Sequence, residues 1–168
     1  MTTRLSRRTL MMSGAAVFSV AATRSMLFAA PAETTWHDVQ DWGLEGRGFD
    51  DTEKYFDRLP ARAKGVVRDA VWNLSRHSAG MMLQFRTDAP TIHVDHFVTS
   101  SNLGMPHMPA TGVSGLDLYA RNDEGQWRWV AVTQPKDQHM QTEIASGLRS
   151  GTRDYAIYLP LYNGTESL

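Results

Sequence analysis

The chain has 168 residues, 42% hydrophobic and 21% charged, a length and balance that suit one soluble globular domain with its own core. It has no cysteine, which excludes disulfides, thiol catalysis and zinc–thiolate sites. The formal charge of −1 hides an asymmetry, because Arg4, Arg7, Arg8 and Arg24 are the only charges before Glu33; without them 13 basic residues face 18 acidic ones, and that net of −5 offers nothing to nucleic acid.

Residues 1–32 read as an export address. A basic start leads into the apolar stretch Leu10–Ala22, which is too short for a comfortable membrane span and suits the apolar region of a signal peptide. Arg7-Arg8 after Ser6 resembles a twin-arginine signal, and Ala30-Pro31-Ala32 fits a small-x-small cleavage pattern that would start the mature chain at Glu33. Such a route carries folded cargo, in keeping with a chain that needs no oxidative folding. The expected location is periplasmic or extracellular, with no membrane span once the leader is removed.

From Glu33 to about Ala63 no period is sustained, and Trp36, Val39, Trp42, Leu44 and Phe49 read as scattered anchors of an irregular segment on a core. Short apolar runs between turn signals follow, the pattern of an all-β sandwich. Val66–Leu74 is expected as a first strand and Met81–Phe85 as a second. In "TIHVDHFV" Ile92, Val94, His96 and Val98 alternate with His93, Asp95 and Phe97. "LDLYAR" and "WRWVAVT" flank "NDEGQ", the clearest hairpin signal in the chain. "DQHMQTEIASGLRS" suggests a helical turn or two. In "YAIYLPLY" Tyr155, Ile157 and Leu159 share a face, and Pro160 removes a ladder donor, which marks the strand's end as an edge or a bulge.

Gly112-Val113-Ser114-Gly115 begins like a nucleophile elbow, which needs glycine two residues before and two after its serine. Gly112 fits, but Leu116 stands where the second glycine belongs, and a strand rather than a helix follows. Ser114 therefore reads as part of a turn. Asp117 is unusual in a strand, and its carboxylate is expected to have a structural partner, either Arg121 or backbone amides of a crossing loop. His93 and His96 fall on opposite faces and cannot share a metal ion without a bulge. Met105, His107 and Met108 sit in a loop that packing by soft side chains explains as well as a pocket does. Trp127 and Trp129 share a strand face, as core residues or as a sugar-stacking platform. The reading needs no cofactor and no metal, and no catalytic residue is assigned.

Taken in order, "EGRGF", "YFDRLP", "VWNLSRHSAG", "FRTDAPTIHV", "HMPATGVSGLDLYAR" and "GQWRWV" resemble the N-terminal domain of certain SGNH (GDSL-like) hydrolases, a domain known for a Gly-x-Asp-Leu-Tyr motif. Here the motif is Gly115, Asp117, Leu118 and Tyr119, and the likeness runs from about Trp36 to Leu168. The resemblance implies a jelly-roll-like antiparallel β-sandwich over residues 33–168, an SGNH hydrolase domain as partner in the same polypeptide, and ester hydrolysis by that partner, often thought to act on carbohydrate esters. The family's catalytic serine block and its Asp and His have no counterpart here, so no catalytic residue carries over. The expectation is an ancillary, non-catalytic domain of an exported esterase, with Met105, His107, Met108, Trp127 and Trp129 as candidates to face the missing domain or a ligand. A free-standing carbohydrate-binding module is the alternative.

Overall fold

The structure, a computed structural model, describes residues 33–168; the leader, its arginine pair and its cleavage point lie outside the described residues. Among the described residues seven strands form two antiparallel sheets. The four-stranded sheet has the order β1-β6-β3-β4, with β1 Met82–Thr87, β6 Arg153–Tyr158, β3 Asp117–Arg121 and β4 Trp127–Val132. The three-stranded sheet runs β5-β2-β7, with β5 His139–Ala145, β2 Ile92–Val98 and β7 Thr165–Ser167. Only the β3–β4 hairpin stays within one sheet; at every other connection the chain crosses to the opposite sheet, the wrapping of a jelly-roll-like sandwich.

Alternation builds the core. Leu83, Leu118, Tyr155 and Ile157 from the larger sheet meet Ile92, Val94 and Ile144 from the smaller one, with Met81, Leu116 and Leu159 just beyond the strand ends. In β2 the residues in register with Ile92, including His96, are buried, while His93 and Asp95 are partly open and Phe97 is exposed, as the sequence pattern predicts. The β3–β4 hairpin also forms as read: Asn122 and Gly125 close its turn, and Gly125 takes the left-handed conformation that glycine adopts freely (φ 77°).

Three expected elements differ. Val66–Leu74 is not a strand: its second half is helix α2, Asp69–Leu74, with Val66, Val71 and Leu74 exposed. Nothing pairs with that run, so its β-branched residues never meet the ladder that would make a strand of them. Conversely, the 137–150 stretch supplies β5 rather than helical turns, because pairing with β2 overrides its weak local preference. The "YAIYLPLY" strand is central, bonded to β1 on one side and β3 on the other; it ends at Tyr158, and Pro160 follows outside the ladder, where its missing donor costs nothing.

The Glu33–Ala63 segment is irregular apart from α1, Val39–Trp42, and a 3-10 turn at Ala61–Ala63. Of its expected anchors, Val39 is buried and Leu44 half-buried, whereas Trp36, Trp42 and Phe49 remain exposed. This segment closes one side of the sandwich: the Val39 amide donates to the Leu168 carbonyl at 3.3 Å, and Glu45 exchanges two backbone hydrogen bonds with Met82 on the β1 edge. No helix among the described residues is long and apolar enough to cross a membrane.

Candidate functional site

The motif begins at a tight turn. Helix α3, Ala110–Val113, ends as the Ser114 amide donates to the Ala110 carbonyl (2.8 Å). The Ser114 hydroxyl donates to the Leu103 carbonyl (2.9 Å) and accepts from Asn163 Nδ2 (3.0 Å), wholly out of solvent. A nucleophile needs an accessible oxygen with a base to take its proton; this hydroxyl gives its proton to a backbone carbonyl in a buried turn. Gly115 is required by space, because a Cβ there would lie 3.0 Å from the Thr133 carbonyl oxygen and nearer still to that of Thr111.

From Gly115 onward the alternation sorts the motif into two halves. Leu116 and Leu118 point into the core, and Asp117, Tyr119 and Arg121 point outward. The expected Asp117–Arg121 pair does not form. Asp117 is only half-buried, and its Oδ1 accepts from Trp129 Nε1 at 3.1 Å on the neighbouring strand. Arg121 instead lies 3.8 Å from Asp154 and 5.2 Å over the Trp127 ring. The reason is geometric: Asp117 and Arg121 are four residues apart on β3 and project in parallel about 13 Å apart, whereas Trp129, opposite Tyr119, is a diagonal cross-strand neighbour of Asp117 roughly 7 Å away, within reach of a long side chain.

Register completes this outer face. Tyr119 is opposite Trp129, Arg121 opposite Trp127, and Asp117 opposite Tyr158, so all six side chains share one side of the sheet. Tyr119 meets Tyr158 edge-on with centroids 5.5 Å apart. Trp127 is 37% exposed and Trp129 57%. Neither tryptophan is core; the Arg121 guanidinium lies over the ring of Trp127, which leaves Trp129 and Tyr158 as the open aromatic surface.

Behind the motif turn lies a buried polar knot that sequence reading missed. Asn163 Oδ1 accepts from the Thr99 hydroxyl and the Ser100 and Gly164 amides, while its Nδ2 donates to the Ser100 carbonyl and to Ser114. Beside it the Thr165 amide donates to the Ser78 hydroxyl (2.8 Å), and Thr165 Oγ1 lies 3.2 Å from His96 Nε2. His96 Nδ1 has no partner, and burial pushes this imidazole down to about 4, against a smaller upward pull from Asp95. The Asn-Gly dipeptide in "LYNG" was the available signal, since it marks a turn. Thus within residues 159–164 Leu159, Pro160, Asn163 and Gly164 are buried, and Leu161 and Tyr162 are open.

Loop residues Met105 and Met108 exchange two backbone hydrogen bonds and are half-buried, which holds His107 exposed at the tip of a two-residue turn. On the smaller sheet's outer face His139 Nε2 lies 2.7 Å from Asp95, and His93 lies 3.9 Å from Glu143. Among the described residues no three His, Asp or Glu side chains are placed to hold a metal ion. A cleft of about 460 Å³ between the β4 and β5 edges is lined by residues of the single stretch from Val132 to Glu143, among them Lys136, Asp137 and Gln141.

These features define a jelly-roll-like β-sandwich domain organised around a Gly-x-Asp-Leu-Tyr turn. Residues 34–168 match the GxDLY family, described as the N-terminus of SGNH hydrolase-type esterases, and the chain belongs to that family. It is also similar to a solved structure from Bacteroides ovatus named a "putative GDSL-like lipase", at 27% identity and a TM-score of 0.73 over 79% of this chain. The match spans 39% of that protein. No curated protein matches the chain.

Proposed function

We propose that this chain is the ancillary domain of an exported SGNH-type esterase, supporting the hydrolase domain rather than carrying out hydrolysis itself, with carbohydrate esters as the substrate class. The observation that carries the reading is the state of Ser114 within a family domain of esterases: its hydroxyl is spent on Leu103 and Asn163 in a buried turn. The arginine pair Arg7-Arg8 and the Ala30-Pro31-Ala32 site support export. The purified chain is expected to show no aryl acetate turnover above a Ser114→Ala control; saturable activity abolished by that substitution overturns the reading. Replacing Arg7 and Arg8 with lysine is expected to trap the precursor in the cytoplasm, and unchanged secretion of that variant overturns the export route. Titration with acetylated and free glycans, followed by tryptophan fluorescence, tests the module alternative: saturable binding to Trp129 favours it.

A further inference from the structure

We infer, resting on the ancillary reading above, that an SGNH hydrolase domain docks on the outer face of the four-stranded sheet, over Asp117, Tyr119, Trp127, Trp129 and Tyr158. The motif that names the family supplies the first argument. The sandwich itself accounts for Gly115, by close approach to two carbonyls, and for Leu118, by burial in the core. Asp117 and Tyr119 face outward and touch only other residues of that face, Trp129 and Tyr158, so the packing of the core requires neither type. Half-buried motif residues on an outer face point to an occupant that the family shares. By its description, what the family shares is the hydrolase that follows.

The chemistry of the face agrees with a protein occupant. Trp, Tyr and Arg are the types enriched at the centres of protein interfaces. Of the charges here, Arg121 and Arg86 share Asp154, and Asp117 accepts a hydrogen bond from the neutral Trp129 indole. An occupant covering the face would need to give Asp117 a cation or further donors, because its present partner is neutral. Arg121 lies over Trp127, so a flat sugar would find Trp129 and the edge-on pair member Tyr158 as its open rings. Strands of five or six residues in a four-stranded sheet present a footprint of roughly 300–400 Å². Counted on both partners, that is the lower end of the about 600–1,500 Å² found between domains of one chain. The alternative faces suit less: the smaller sheet's outer face is occupied by imidazole–carboxylate and amide pairs, and residues 39–45 close the β7–β1 side.

The Bacteroides ovatus protein, most of whose length lies outside the match, provides the test. With this sandwich superposed on it, the remainder of that protein is expected to bury the positions overlying Tyr119 and Trp129. In the whole protein, aspartate at the position overlying Trp129 is expected to lower the urea midpoint for loss of esterase activity by about 0.5 M or more. A hydrolase-fold remainder that packs elsewhere and leaves this face open overturns the docking surface while leaving the ancillary reading intact, as does an unchanged midpoint. A remainder without a hydrolase fold overturns the ancillary reading itself.

Discussion

Asn163 and Trp129 sit in each other's expected places. The amide is 1% exposed at the heart of the knot, and the indole is more than half exposed on the outer face of the larger sheet. A polar side chain is tolerable in the interior only when its donors and acceptors are met, and Asn163 meets five partners from three separate stretches of chain. The terminal segment, the Thr99–Ser100 loop and the end of α3 are thereby held in one arrangement. Trp129 has one hydrogen bond, to the half-buried Asp117, and an open ring. The knot therefore serves the sandwich's own stability, and the aromatic face serves it little. This contrast separates residues that build the domain from residues available to a partner.

Breaking the knot tests the first half of the comparison most severely. Asn163→Ala leaves several buried partners unsatisfied and is expected to cost about 3–5 kcal/mol in urea unfolding, among the larger single-residue effects. A loss below about 1 kcal/mol means that water replaces the amide and the knot is no lock.

The same region should respond to pH. The His96 imidazole titrates near 6.5 when unfolded and near 4 when folded, so between those values the unfolded chain holds the extra proton. Stability is then full above about pH 6.5 and falls as pH drops through that window, by an amount on the order of 3 kcal/mol. A melting-temperature profile from pH 7 to pH 4 is expected to be flatter for His96→Gln; parallel profiles mean that His96 is not the group responsible.

At the turn joining the two regions, Gly115→Ala drives a methyl against the carbonyls of Thr111 and Thr133 and is expected to cost about 1–3 kcal/mol. An equally stable alanine variant would show that the turn relaxes freely.

On the outer face the effects should be smaller. Asp117→Ala is expected to cost only about 0.5–1.5 kcal/mol, because the freed indole N–H can turn to water. Trp129→Ala should stay within about 0.5 kcal/mol of the parent, as an exposed side chain does. Losses above about 3 kcal/mol at either residue would place the face in the fold's own support and erase the contrast.

Sequence by itself determined the features that rest on local period and on ordered motifs: the all-β class, the alternating β2, the β3–β4 hairpin, the membership carried by Gly115, Asp117, Leu118 and Tyr119, and the failure of Ser114 to fit an elbow. Each is set within a few residues, by a two-residue alternation or a turn's own glycine. Tertiary structure alone decided whether Val66–Leu74 or His139–Ala145 would find a strand partner, because pairing is a property of two segments and neither carries a strong preference of its own. It alone gave Asp117 to Trp129 rather than Arg121, since strand register, and not spacing along one strand, brings side chains together. It alone made Asn163 a centre. Its partners lie up to 64 residues away in sequence, and a buried amide becomes favourable only when the whole fold delivers them together.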